Sequence, residues 1–299
     1  MSKRKDYFRY LPISEREKQW GLYVTSAGFA SYKPDDDYPR SGHPKSYDFE
    51  WSRGRRLPVH AIVYITRGEG EFETEVSGRH KIEAGSAMML FDGVWHRYRP
   101  TREIGWDEYY ICFHGDCARR WIENDFLCPE KPVAPTGIDE TILHAYLSLF
   151  ERMRSEPVGL EQLLAADAME ILAAVLGAVR GQQSDGRTNA IVRQAKAIIE
   201  AESGGVLAIE KLVEQLPISP TQFYRLFKEH TGLTPYQYHL QLRINRAKEL
   251  LHGTTMTVKD IAGELRFESE FHFSKIFKKK TDFSPTQWRR FAKPPKDIA

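Results

Sequence analysis

Cysteine is scarce: the 299 residues hold three, Cys112, Cys117 and Cys128, and no CxxC pair. An odd, sparse set argues against a disulfide framework and reads as reduced thiols in a cytoplasm. The chain also lacks an H-x-H pair: His60 stands alone, and His96 in GVWHRY has no close histidine beside it. One histidine does not make the three or more ligands that a catalytic metal needs, so no metal and no cofactor are expected. The start, MSKRKDYFRYLP, carries charge but no following apolar run, and a signal peptide is not expected. No run approaches eighteen consecutive apolar residues, so no membrane span is expected. What is present is ordinary: 41% hydrophobic and 28% charged residues, sufficient for proper cores in two domains.

The net charge of +2 conceals a division. Residues 1–184 carry 24 Lys and Arg against 28 Asp and Glu, whereas residues 185–299 carry 19 against 13. The second part is therefore basic, as a polyanion-binding module is, because cations near phosphates release condensed counterions. A mildly basic solvated surface would give the same count.

Sequence grammar changes at the same place. HAIVYITRGEGEFETEV (60–76), HKIEAGSAMMLFDG (80–93) and WDEYYICFHG (106–115) are short β-rich runs punctuated by glycine. Without intervening helices they predict an antiparallel barrel or sandwich. The aromatic-rich first thirty residues show no clear period and are expected on the barrel exterior or at its edge. Helices are predicted over 138–155 and 159–180, the second apolar on much of its circumference, which suits either its own core or a second subunit. RGQQSDGRTN (180–189) reads as a linker. Seven helices are then predicted, near 188–202, 208–216, 219–230, 234–252, 257–265, 269–280 and 284–292.

The chain repeats itself near its end. SPTQFYRLFKEHTGLTPYQY (219–238) and SEFHFSKIFKKKTDFSPTQW (269–288) share seven of twenty positions. In the first copy, Ile209, Leu212, Val213 and Leu216 make an apolar stripe. After a turn through Pro217-Ile218, Ser219 is an N-cap, with Pro220 at the first helical position. Phe223, Leu226 and Phe227 face inward; Thr221, Gln222, Tyr224, Arg225 and Lys228 face solvent. In the second copy Val258, Ile261, Ala262 and Leu265 make the stripe. Phe273, Ile276 and Phe277 point in; Phe271, His272, Ser274, Lys275 and Lys278 point out, after a turn that reads one residue longer. Helix, tight turn and second helix with a basic outer face is helix-turn-helix grammar. The central helix, about 19 residues, spans ~28 Å, near the ~34 Å between successive major-groove faces of B-DNA.

These two motifs, with IAGELRFESEFHFSKIFKKKTDFSPTQW in the second, resemble the DNA-binding domain of the AraC/XylS family of bacterial transcription regulators. The segment SRGRRLPVHAIVYITRGEGEFETEVSGRHKIEAGSAMMLFDGVWHRYRPTREIGWDEYYICFHG (52–115) is similar to that family's cupin-type sensor barrel. The resemblance implies an α+β fold: an N-terminal cupin-like β-barrel with a helical dimerisation region, and a C-terminal all-α domain with two helix-turn-helix motifs. The expected divisions are a ligand-sensing barrel over 1–135, a helical dimerisation or connecting region over 136–180, a linker over 181–189 and the DNA-binding domain over 190–299.

The resemblance further implies that Thr221, Gln222, Tyr224 and Arg225, then Phe271, His272, Ser274 and Lys275, enter the major groove of promoter DNA. Arg225 suits a bidentate guanine contact. Lys228, Lys278 and Lys279 suit phosphates. Thr234 and Ser284 precede Pro at helix starts, where free N–H groups hold a phosphate. The family usually has Gly in each turn, where this chain has Pro217 and Arg266, so turn geometry is expected to differ. On the sensor side, hydrophobicity leaves open whether Trp106, Glu108, Tyr110 and Cys112 or the opposite face of that strand points inward. Resemblance to sugar-sensing members favours Glu108 and Tyr110 inward, joined by His96 and Tyr98, with Arg56 from the GRRLP entry. His96 is a pocket hydrogen-bonder or a satisfied core histidine; each aromatic is a pocket wall or ordinary core. The expected function is a ligand-responsive regulator without catalytic activity, binding a sugar-like effector and promoter DNA as a homodimer, with RNA polymerase as a further partner. Two alternatives stand: a cupin metalloenzyme with an accessory helical domain, and a constitutive DNA-binding regulator whose barrel only dimerises.

Overall fold

The computed structural model describes residues 6–40, 49–183, 186–202, 204 and 208–292. The chain divides into two compact units, Met1–Gln183 and Ser184–Ala299.

The first unit opens with β1 (Tyr7–Tyr10), helix α1 (Glu15–Gln19) and β2 (Tyr23–Tyr32). It continues with β3 (His60–Thr74), β4 (Gly78–Glu83), β5 (Ser86–Leu90), β6 (His96–Pro100) and β7 (Trp106–His114). Helix α2 (Asp116–Glu123), β8 (Val133–Pro135), α3 (Glu140–Ser155) and α4 (Leu160–Gln183) complete it. Every pairing is antiparallel, and the path β1-β2-β7-β3-β5-β8 does not return to its start among the described residues. The long strand β3 organises the sheet. Its first half pairs with β5 and β7, its second half with β4 and β6. A register shift at Ile65/Arg67 marks the change of partners, where an irregular ladder lets a strand bend. Residues 23–32 are more integral than the irregular pattern around them suggests, since β2 runs beside β7 for its whole length.

Strand alternation divides the apolar residues between two cores. Ile62, Tyr64, Tyr109, Ile111 and Phe113 face α3 and α4, meeting Tyr146, Leu149, Phe150, Ala168 and Ile171. Tyr146 donates to the carbonyl of Ile62 at 2.9 Å, tying helix to strand. The other face holds Ala61, Val63, Phe72, Ile82, Leu90, Tyr98, Trp106 and Cys112, drawn from both halves of the sheet. Over Leu160–Gln182, α4 is long and apolar enough to cross a membrane by length and composition alone, although Glu161, Asp167, Glu170 and Arg180 keep it from being a continuous apolar run. Within this unit its Leu164, Ala168, Ile171 and Val175 lie in the core, and its Asp167, wholly buried, pairs with Arg152 of α3.

The second unit is helical: α5 (Gly186–Ala201), α6 (Ile209–Glu214), α7 (Pro220–Thr231), α8 (Pro235–Gly253), α9 (Val258–Glu264), α10 (Glu270–Thr281) and α11 (Pro285–Ala292). In the segment read as a linker, α4 and α5 extend inward from both sides, and residues 184 and 185 lie outside the described residues. Two cores share α8. One gathers Ile191, Ala195, Leu212, Leu216, Phe223 and Phe227, with Tyr238 and Leu242 of α8 against it. The other gathers Ile244, Ala247 and Leu251 of α8 with Ile261, Leu265, Phe273 and Phe277.

Candidate ligand pocket and nucleic-acid interface

The inner face of the sheet holds a small cavity. Its wall includes Tyr10, Tyr32, Tyr38, Phe49, Arg55, Tyr98, Glu108, Tyr110 and Cys112. The face of β7 carrying Glu108 and Tyr110 therefore points inward, and Tyr109, Ile111 and Phe113 are spent on the helices. Glu108 is buried and accepts a hydrogen bond from the Tyr38 hydroxyl at 3.3 Å. Burial raises its pKa to about 7, against the pull of the Tyr38 hydroxyl and the Arg55 charge. Arg55 donates to the Tyr98 hydroxyl at 2.8 Å and lies 5.3 Å from the Phe49 ring centroid. Burial pushes the Tyr98 phenol up to about 12. The Tyr110 hydroxyl is buried and finds no hydrogen-bond partner among the described residues. The cavity volume is about 50 Å³, room for a few waters, whereas ligand pockets run ~300–1,000 Å³.

The remaining predicted pocket residues stand back from this wall. His96 is buried; its Nδ1–H donates to the carbonyl of Val94 at 3.0 Å, and its Nε2 receives Arg55 Nε at 3.4 Å. Burial lowers its pKa to about 4, so the ring is neutral and both nitrogens are engaged. Trp106 packs behind Tyr38 and Tyr98 in the inner core. Arg56 is displaced from the pocket: its guanidinium is solvent-exposed and grips Glu75 at 2.7 Å. The arginine that reaches inward is its neighbour Arg55, because adjacent residues of an extended segment point to opposite sides. Tyr32, Tyr38 and Phe49 were missed; the aromatic richness of the first forty-nine residues was the available signal.

On the helical unit the two copies match in the lengths of their second helices and in the spacing of their elements. Five residues separate α6 from α7, and five separate α9 from α10. The turns are thus equal in length, correcting the longer second turn expected from sequence. Their construction differs. Arg266 takes φ 53°, with Phe267 N–H bonded to Ala262 O at 2.8 Å and Arg266 N–H to Gly263 O at 2.9 Å. This is a Schellman ending with arginine where glycine is usual. In the first turn none of Gln215–Ser219 has positive φ, and at Pro217 the ring itself excludes it. Arg243, unremarked in the sequence, is buried in α8. It donates to the carbonyl of Leu265 through Nε at 3.0 Å and Nη2 at 2.6 Å, and covers the Phe267 ring at 3.9 Å. It therefore ties α8 to the second turn.

All the residues expected to face outward do so except His272 and Ser274. Thr221, Gln222, Tyr224, Arg225 and Lys228 are exposed on α7; Phe271, Lys275, Lys278 and Lys279 are exposed on α10, with His272 and Ser274 half-buried. Arg225 pairs with exposed Glu229 at 3.9 Å, a contact too weak to hold it from a base. His272 turns back toward Phe267 and Glu268. At Thr234 and Ser284 the hydroxyl accepts from the N–H of Gln237 and Gln287 respectively, and those glutamines return the bond. These capping boxes occupy two of the N–H groups that the sequence left free at each helix start.

A family model described as the AraC-like ligand binding domain matches residues 25–217. The chain belongs to the AraC family. A model described as a helix-turn-helix domain matches residues 212–290. Among curated AraC-type relatives, the MmsAB operon regulatory protein of Pseudomonas aeruginosa is 25% identical over 85% of this chain and 83% of its own length. The HTH-type transcriptional activator RhaS of Salmonella paratyphi B is 28% identical over 77% of this chain and 85% of its own. The lactose operon transcription activator of Staphylococcus xylosus is 22% identical over 75% and 81% respectively. As an AraC-family member with both domains, the chain is a ligand-responsive, DNA-binding transcription regulator, in a family of regulators rather than of enzymes.

Proposed function

We propose that the effector is a sugar or a related small polar metabolite, held on the inner face of a cupin-like barrel. One observation carries this reading: a carboxylate, a guanidinium and an unpartnered phenol converge in one aromatic-walled cavity. Rings suit the C–H faces of a sugar, and fixed donors and acceptors suit its hydroxyls. Glu108, Tyr110 and Tyr98 touch the effector; Arg55 takes the role expected of Arg56, and His96 and Trp106 hold the wall from behind. A cavity of about 50 Å³ requires the wall to open when a sugar enters. The naming of a relative for the lactose operon agrees with this class. The division of β3 between two sets of partners, with a register shift at the change, supports the barrel reading.

In the helical unit, two helix-turn-helix heads read adjacent major grooves from α7 and α10, with α8 as the rod between them. Thr221, Gln222, Tyr224 and Arg225 serve the first head, and Phe271, His272, Ser274 and Lys275 the second. Lys228, Lys278, Lys279 and the helix starts at Thr234 and Ser284 take phosphates. The protein acts as a cytoplasmic homodimer through α3 and α4, without catalytic activity, and engages RNA polymerase at the promoter. The divisions are a barrel over 1–135, a dimerisation region over 136–180, a connection over 181–189 and the reader over 190–299. A thermal-shift screen with sugars and sugar acids tests the effector class. A hit should be weakened at least tenfold by Tyr98→Ala, Glu108→Ala or Tyr110→Ala, with effector-free DNA affinity unchanged. Unaltered affinity in all three variants would put the effector elsewhere.

A further inference from the structure

Phe271 is 79% exposed, the most exposed large apolar side chain described in the helical unit. The core does not need it, since Phe267, Phe273 and Phe277 of the same motif are buried. A phenyl ring left in water forgoes the free energy that burial would return, so its position asks for an occupant. Phe271 is the second residue of α10, and first-turn residues of a second helix-turn-helix helix are those that reach base edges. Lys275, Lys278, Lys279 and Lys280 on the same helix are exposed. A second copy of this face would set like charges against them, whereas a polyanion complements them.

What a phenyl ring can read is limited by chemistry. Base edges in the major groove offer hydrogen-bond donors and acceptors and one apolar group, the 5-methyl of thymine. The residues around Phe271 do not compete for it. Glu270, His272, Ser274 and Lys275 carry polar groups, and none of them offers a methyl an apolar surface. We infer that Phe271 is a specificity-determining residue that selects thymine, through its 5-methyl group, at one position of the site read by α10. The inference rests on the reading of α10 as a major-groove helix. The same position in the first copy holds Thr221, a smaller and more polar contact.

The test begins with duplexes selected by the full-length protein from a randomised library. Each thymine is then replaced singly by deoxyuridine, which removes only the methyl. At one position the replacement should weaken wild-type binding about fourfold, the expectation for one buried methyl-sized group. It should leave Phe271→Ala indifferent at that position. Phe271 is exposed, so the variant should keep the wild-type melting temperature. The thymine assignment is overturned if no replacement weakens the wild type, or if the sensitive position is equally sensitive in Phe271→Ala. It is also overturned if that variant changes the oligomeric state while thymine sensitivity persists. Lys278→Ala separates the two levels: an unchanged salt dependence would mean that α10 does not meet DNA, and the underlying reading would fail.

Discussion

Glu108 is a carboxylate held among rings and hydroxyls, and its environment makes a measurable demand. Its folded pKa of about 7 lies above the ordinary 4.5. Between those values the folded chain keeps a proton that the unfolded chain releases. The stability associated with the protonated form is therefore complete below the unfolded pKa and is lost as pH rises through the folded one. Glu108→Gln keeps the shape without the charge. It should exceed wild type in stability by about 3 kcal/mol near pH 8 and match it near pH 4.5, since one pKa unit corresponds to ~1.36 kcal/mol. Urea unfolding across that range decides it; a gap independent of pH would remove Glu108 as its source. At this scale the sequence was a partial guide. Alternation put Glu108, Tyr110 and Cys112 on one face, but could not choose the face, because both faces of β7 are buried. The choice between Arg55 and Arg56 was likewise invisible, as both carry the same charge and differ only in strand side.

At the scale of elements, the repeated helix pair was legible in full. Ser and Thr caps, joined at three of them by Pro at the helix start, placed the last five helices, and apolar periodicity the first two, within a few residues of their ends. The turns were less legible, because backbone conformation there depends on bonds to distant partners. Arg266 accepts a left-handed φ while Arg243 anchors the carbonyl one residue earlier. Left-handed backbone costs an L-residue roughly 1–2 kcal/mol, of which glycine's greater unfolded entropy returns part. Arg266→Gly should therefore stabilise the chain by up to ~1 kcal/mol. Denaturant titration checks it, and a variant less stable than wild type would show that the arginine side chain contributes more than its backbone costs.

At the scale of the molecule, the charge division and the compact units fall close together, near residue 184. The helical unit has two cores of its own, closed by α5 to α11. A fragment Ser184–Ala299 should fold and bind duplex DNA with steep salt dependence, measurable by circular dichroism and anisotropy. A soluble, helical fragment that ignores DNA bound by the full-length chain would refute the modular account. The sequence by itself determined the helical unit almost completely, because its signals are local: caps, turns and 3.6-residue periodicity act within a few positions. It also determined the β-rich character of the first unit. Only the tertiary structure decided which side of β7 lines a cavity, that β2 belongs inside the sheet, and that Tyr38 and Arg55 meet Glu108 and Tyr98. Those facts follow from pairings between residues tens of positions apart, and a period of two cannot say which of two buried faces meets helices and which encloses a ligand.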